Sequence, residues 1–126
     1  MDFTGNTALI TGAAGGIGGA LAARLRQLGA RIAVADKDVS DVSADVHLPG
    51  DLLDTEYTDG LAVRACDALG GLDIVINNAG VITRGPVTET SDKDWSLSVG
   101  VNVDAIQQHT VAPPWPFRYS SRLCVC

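Results

Sequence analysis

The residues best suited to chemistry lie in a glycine-rich run near the start of the chain. Its informative members are Gly12, Gly15, Gly16, Ile17 and Gly18. Glycines let the backbone turn tightly and approach a ligand without a Cβ in the way. If a helix begins in this run, its first amides have no intrahelical partner, and the helix dipole reinforces them. The run is therefore predicted to hold the pyrophosphate of a dinucleotide.

Because a glycine pattern alone is weak evidence, the flanking sequence has to support it. Residues 8–10 form a short apolar run, which is typical of a strand buried on both faces. After the glycines, one apolar helix face is predicted from Ile17, Leu21, Leu25 and Leu28. Gly29 is a natural end for this helix, and a second apolar strand runs from Arg31 to Ala35. This order predicts a strand, loop, helix and strand that bind a nucleotide.

Asp36, at the end of the second predicted strand, indicates which dinucleotide binds. It lies about 20 residues beyond the glycines, where a carboxylate hydrogen-bonds a ribose 2′-hydroxyl. The same charge repels a 2′-phosphate, so NAD is predicted in preference to NADP. The positive charge of Lys37 weakens this repulsion slightly, and a solvated aspartate at a strand end is the alternative interpretation.

Length and composition exclude several classes of function. With 126 residues, the chain is long enough for one domain with a core. Its formal net charge of −6, with no basic cluster, argues against a nucleic-acid partner. No apolar stretch is long enough for a membrane span and no basic leader is present, so a cytoplasmic protein is expected. No metal site is predicted from the cysteines. Cys66 is isolated, and the C-x-C pair of Cys124 and Cys126 has no nearby histidine and no second cysteine pair.

The alternation of strands and helices continues beyond Asp36. A third strand is predicted over Ala44–Leu48, after a polar connection so short that it must be a compressed turn. Asp54 or Thr55 caps the next helix, and its sheet-facing stripe consists of Tyr57, Leu61, Ala65 and Leu69. A fourth strand covers Leu72–Ile76 and leads into Asn77, Asn78, Ala79 and Gly80.

The last predicted helix starts at Ser91, where Asp94 completes a capping box, and ends by Ala112 because prolines follow. Its predicted apolar face is Trp95, Val99, Val103 and Ile106. Residues 113–126 contain no acid, three of the five prolines and two of the three cysteines. This change predicts a partial NAD(P)-binding domain over 1–112 and an irregular tail over 113–126, produced by truncation or a shifted reading frame.

Together these features resemble the N-terminal half of a classical short-chain dehydrogenase/reductase, over about Phe3–Ile106. T-G-x-x-x-G-x-G spans Thr11–Gly18 and N-N-A-G spans Asn77–Gly80. Gly15 also fits the T-G-x-x-G-x-x-G of extended members, but N-N-A-G favours the classical branch. The resemblance implies an α/β fold: a Rossmann-type, doubly wound parallel sheet in three α/β/α layers, truncated here after about four strands. It also implies an NAD-dependent oxidoreductase acting on an alcohol or ketone.

The resemblance further implies roles for individual residues. It assigns Gly12, Gly16, Ile17 and Gly18 to the pyrophosphate, Asp36 to the adenosine ribose, Asp51 and Leu52 to the adenine, and Asn78, Ala79 and Gly80 to the ribose and nicotinamide side. For Asn77 and Asn78, a polar cap on a strand end is a compatible interpretation. Asn102 lies in the middle of a predicted helix, where Asn is unfavourable. The resemblance implies that it belongs to the catalytic set and helps to hold a water relay. The alternative interpretation is a solvated helix residue.

The chain departs from the family at the proton-transfer residues. That chemistry uses a Ser and a Tyr followed four residues later by a Lys that lowers the pKa of the Tyr. No Lys follows Lys93, and Tyr119 is followed four residues on by Leu123. His47 and His109 are interpreted as surface or satisfied residues rather than substitute acids. The chain alone is predicted to carry a nucleotide site without turnover. The alternatives are a non-catalytic NAD-binding module and a non-functional truncation product, with a homo-oligomer left open.

Overall fold

In a computed structural model, residues 1–111 and 124–125 are described, and within them five parallel strands form one sheet. The strands are β1 (Thr7–Thr11), β2 (Arg31–Asp36), β3 (Val46–Pro49), β4 (Ile74–Ile76) and β5 (Cys124–Val125). The helices are α1 (Gly16–Gln27), α2 (Thr55–Leu69), α3 (Asp92–Val99) and α4 (Ala105–Val111), with a 3-10 turn at Val87–Glu89 and a π-helical turn at Gly100–Asp104. None of the helices in the described part of the chain is long and apolar enough to cross a membrane.

Helices cover both faces of the sheet, as a buried parallel sheet requires. Successive side chains of a strand point to opposite faces, so β1 contributes to two cores. Leu9 packs in one cluster with Leu61 and Leu69 of α2. Ile10 packs in the other with Ala22 of α1. The predicted three-layer Rossmann-type architecture is confirmed, including the apolar stripe of α2.

The strand order creates a crevice at one edge of the sheet. The order is β3-β2-β1-β4-β5, so the chain proceeds outward from β1 to β3 and then returns to the other side of β1 for β4. The loops after β1 and β4 therefore leave the sheet side by side in opposite directions. In open α/β sheets, ligands bind at this switch point, outside the carboxyl ends of the strands.

Predicted local details agree in several places. No helix lies between β2 and β3, so the compressed connection is confirmed. Asp54 caps α2, accepting from the backbone N–H of Glu56 at 3.0 Å. Ser91 caps α3, accepting from the N–H of Asp94 at 3.1 Å. The third and fourth strands are each two residues shorter at the start than predicted, beginning at Val46 and Ile74.

The predicted apolar face of the helix after Ser91 is wrong at two of its four residues, whereas Val99 and Ile106 are half-buried. Trp95 is 65% exposed and Val103 57% exposed, whereas Val101, Ala105 and His109 are buried. The periodicity prediction counted only large apolar residues, but the buried side includes an alanine and a histidine. The π-helical turn between α3 and α4 also interrupts the 3.6-residue repeat on which the prediction depended.

The segment predicted as an irregular tail contributes one short strand. β5 pairs in parallel with β4, so the sheet extends beyond the four predicted strands. The remaining predictions for this segment concern residues 112–123 and Cys126, which lie outside the described residues.

Candidate functional site

A cavity of about 480 Å³ opens at the carboxyl edge of the sheet, between the loop after β1 and the turn after β4. Every residue predicted to contact a cofactor, except Gly18, lines it. These residues are Gly12, Gly15, Gly16, Ile17, Asp36, Asp51, Leu52, Asn78, Ala79 and Gly80. Sequence reasoning missed other lining residues: Lys37, Gly50, Leu53, Val81, Leu97 and Val101.

The glycine-rich run forms a tight loop that opens into α1. Gly12 has a φ of +66°, a left-handed conformation that favours glycine. The Gly15 N–H donates to the Gly12 carbonyl at 3.2 Å, and α1 begins at Gly16. No side chain caps this helix and no acid occupies its first turn. The start of α1 is therefore suited to an anion in the cavity, where its first amides lack intrahelical partners.

Ile17 and Gly18, neighbours at the start of α1, face different surroundings. Ile17, predicted on the apolar face of α1, is 73% exposed and lines the cavity. Gly18 is buried, and a Cβ on it would lie 2.7 Å from Asn78 Nδ2 and closer still to the Gly12 carbonyl oxygen. Gly18 thus allows α1 to pack against the loop, and its predicted contact with a pyrophosphate stays a prediction.

Hydrogen bonds hold the turn after β4 against the glycine loop. Asn78 Nδ2 donates to the carbonyl oxygens of Thr11 at 3.1 Å and Gly12 at 3.0 Å. The Ala79 N–H donates to the hydroxyl of Thr11 at 3.2 Å. Thr11 is 1% exposed, so its hydroxyl is available to this backbone amide and not to solvent. The two walls of the cavity are consequently fixed to each other by side chains as well as by the sheet.

Asp36 lies beside the glycine loop. One oxygen of its carboxylate accepts from the Ala14 N–H at 3.0 Å, and the other accepts from the Lys37 N–H at 2.7 Å. An ionised carboxylate has about four acceptor positions, so these bonds leave capacity for hydroxyl donors in the cavity.

A charged pair crosses the cavity rim next to Asp36. The Lys37 ammonium lies 3.0 Å from the Asp51 carboxylate. The pKa of Asp51 lies below its usual value, first because the Leu53 N–H donates to its carboxylate and then because of Lys37. Asp51 therefore stays ionised at neutral pH and offsets the charge of Lys37.

Asn102 lies in the π-helical turn and does not line the cavity. Its Nδ2 donates to the Val81 carbonyl, and its Oδ1 accepts from the Val81 N–H, both at 2.9 Å. It is exposed, yet it is tied to the backbone just after the N-N-A-G turn rather than simply solvated. Its implied catalytic role stays a prediction.

The family can be assigned once this geometry is known. A family model described as short chain dehydrogenase matches residues 6–113. The chain belongs to this family. The resemblance inferred from the sequence is confirmed, and the chain corresponds to the N-terminal part of the short-chain dehydrogenase fold.

Comparison with individual relatives shows how much of their length this chain covers. The uncharacterised oxidoreductase YuxG of Bacillus subtilis is 37% identical over 113 residues, which cover 79% of this chain and 16% of YuxG. Meso-2,3-butanediol dehydrogenase of Serratia marcescens is 34% identical over 117 residues, covering 84% of this chain and 46% of that enzyme. A short chain dehydrogenase from Burkholderia cenocepacia, solved in complex with NADP, has a TM-score of 0.82 at 28% identity, covering 89% and 51% of the two chains. The chain thus spans about half the length of such relatives, or less.

Proposed function

We propose that this chain forms the NAD-binding part of a short-chain oxidoreductase. The observation that carries the proposal is the position of the Asp36 carboxylate, which accepts from Ala14 in the glycine loop and lines the same cavity as the start of α1. When bound, the nicotinamide would supply hydride exchange with an alcohol or ketone. The residues of this chain bind and orient that cofactor.

The start of α1 supports the proposed phosphate contact. Gly15, Gly16 and Ile17 line the cavity, and nothing in the described structure lies within 4 Å of a Cβ built on Gly16. A phosphate can therefore approach the backbone closely. The dipole at a helix N-terminus contributes about 0.3–1 kcal/mol for a nearby negative charge.

The charges around the proposed ribose position favour NAD over NADP. Asp36 would accept hydrogen bonds from ribose hydroxyls and repel a 2′-phosphate. Lys37 is the nearest cation in sequence, but Asp51 holds its ammonium at 3.0 Å. We therefore propose that Lys37 does not compensate for the repulsion by Asp36.

The Tyr-x-x-x-Lys pair that the family uses for proton transfer does not occur in this sequence. No Lys follows Lys93, so no Tyr after it is followed by Lys four residues later. We propose that this chain by itself binds NAD without oxidising alcohols, and that a full-length enzyme of this type would act on an alcohol or ketone.

Calorimetric titration of the purified chain with NAD and with NADP tests the proposal. NAD is expected to bind, and NADP to bind at least about tenfold more weakly, because the hydrogen bond from the 2′-hydroxyl to the Asp36 carboxylate is replaced by repulsion. A steady-state assay with NAD and secondary alcohols is expected to show no saturable NADH production. Absence of NAD binding, tighter binding of NADP, or clear turnover would each contradict the corresponding part of the proposal.

Asp51→Asn is expected to shift the preference towards NADP. The substitution removes the ion-pair partner of Lys37 and frees its ammonium to meet a 2′-phosphate. Exposed ion pairs are weak, so the ratio of the NADP to the NAD dissociation constant should fall only about two- to fivefold. The ratio is the useful quantity, because a contact between Asp51 and adenine would affect both dinucleotides equally.

The double variant Lys37→Gln/Asp51→Asn is the matched control for that measurement. Because the double variant lacks the Lys37 ammonium, its ratio of the NADP to the NAD dissociation constant should return to the wild-type value. A ratio that stays low in the double variant would show that Lys37 is not responsible.

A further inference from the structure

His109 is a buried polar residue that the proposed cofactor contacts do not explain. It lies in α4 and is 1% exposed. Its Nε2 lies 2.6 Å from the Oδ1 of Asn77, the first residue after β4. Burying an imidazole is costly unless it is hydrogen-bonded, so a histidine here needs a reason that an apolar residue would not satisfy.

We propose that His109 is a positioning residue, which holds the Asn77–Gly80 turn in place by donating its Nε2–H to Asn77. The inference rests on the proposed function, because it assigns that turn to the nicotinamide side of a dinucleotide cavity. His109 itself does not touch the cofactor or the substrate.

The donor and acceptor roles follow from the chemistry of the pair. A side-chain carbonyl oxygen only accepts hydrogen bonds, so with Oδ1 facing the ring the proton is assigned to Nε2. Nδ1 is buried and has no hydrogen-bond partner among the described residues, as expected for the lone pair of a neutral ring. Burial lowers the pKa of His109, and the backbone of Ala105 opposes part of that shift. The ring is therefore neutral at pH 7.

A short path of contacts connects His109 to the cavity. Asn77 is followed directly by Asn78, which donates to the Thr11 and Gly12 carbonyls, and by Ala79, which donates to the Thr11 hydroxyl. A shift at Asn77 would therefore reach both the turn and the glycine loop. His109 restrains this turn from the helical layer, whereas Thr11 restrains it from the sheet.

Two substitutions separate this role from simple filling of the core. His109→Leu keeps an apolar volume but removes the donor, whereas His109→Gln keeps an amide N–H that can donate to Asn77. The dissociation constant for NAD should rise about tenfold in His109→Leu, in line with the loss of one buried hydrogen bond, and stay within about twofold of wild type in His109→Gln. Gln107→Leu, on the exposed side of α4, is the control and should bind NAD like wild type.

Wild-type NAD affinity in His109→Leu would overturn the inference, and so would equal weakening in both His109 variants. Melting temperatures of all variants identify a purely structural role of His109. Such a role would lower the melting temperature of the His109 variants without weakening NAD binding in His109→Leu alone.

A second measurement decides the inference even if NAD does not bind or a variant does not fold. Imidazole ¹⁵N spectra of the wild-type chain at pH 7 should show the neutral Nε2–H tautomer of His109. Amide exchange of Asn78 and Ala79 should be faster in His109→Leu than in His109→Gln. An Nδ1–H tautomer or a charged ring would overturn the inference. Absence of NAD binding with the expected tautomer would contradict only the proposed function.

Discussion

Gly18→Val is expected to lower the melting temperature by about 10 °C and to abolish NAD binding. A Cβ at Gly18 would lie 2.7 Å from Asn78 Nδ2 and 2.9 Å from the Ala13 Cα. Overpacking of this kind costs about 1–3 kcal/mol and sometimes more, which corresponds to roughly this change for a domain of this size. Thermal unfolding followed by circular dichroism, with calorimetry for NAD, measures both effects.

The neighbours of Gly18 cannot move aside cheaply. The Gly12 carbonyl and the Ala13 Cα belong to the backbone of the loop, and Asn78 is held by its bonds to the Thr11 and Gly12 carbonyls. Relief of the clash would displace α1 from the loop, and with it the amides proposed to bind phosphate. Stability and affinity should therefore fall together.

Gly16→Ala is the matched control, two residues earlier in the same helix. Nothing lies within 4 Å of a Cβ at Gly16, and its φ is not positive. Alanine restricts the unfolded chain more than glycine, so the melting temperature should stay the same or rise slightly. A Gly18→Val variant as stable as Gly16→Ala would show that the close approach of α1 to the loop is wrong.

Asp36→Ala is expected to reverse the preference between the two dinucleotides. Loss of hydrogen bonds to a charged group costs about 1.5–3 kcal/mol, so the dissociation constant for NAD should rise about 10- to 100-fold. NADP should bind more tightly than to wild type, because the charge that repels its 2′-phosphate is gone. Titrating the variant with both dinucleotides measures the change in each dissociation constant.

Asp38→Ala is the control for net charge. Asp38 lies two residues after Asp36 and does not line the cavity, so this substitution removes one negative charge without removing a contact in the cavity. It should leave the ratio of the two dissociation constants near the wild-type value. Melting curves are needed as well, because Asp36 also accepts from Ala14 and Lys37. If both variants changed the ratio equally, long-range charge rather than a contact at Asp36 would explain the preference.

Much of the cavity could be predicted because its parts are local in sequence or lie at strand ends. The glycine-rich run can bind a phosphate only if a helix begins within it, and α1 does begin at Gly16. Parallel strands place their carboxyl ends at one edge, so residues that follow β1, β2 and β4 had to lie near one another. The sequence alone therefore predicts that Asp36 and Asn78 lie near the glycine loop.

Side-chain pairs between distant elements could not be predicted in the same way. The resemblance implies a catalytic role for Asn102, which stays a prediction, but the sequence does not show that its side-chain amide bonds to the backbone of Val81, 21 residues earlier. From the sequence, the positive charge of Lys37 is expected to act on Asp36, but its ammonium lies 3.0 Å from the Asp51 carboxylate. The sequence leaves open whether His109 is a surface or a satisfied residue, because a histidine does not count in an apolar repeat; the structure buries it.

The amino-acid sequence by itself determined the family, the layered architecture and the residues at the cavity, because these depend on backbone freedom, local spacing and the order of strands. The tertiary structure decided which side of the last helix is buried, which cation is already paired and which imidazole supports the turn after β4. Those features depend on distances between residues far apart in the chain, set by sheet twist and helix packing, and spacing in sequence does not encode them.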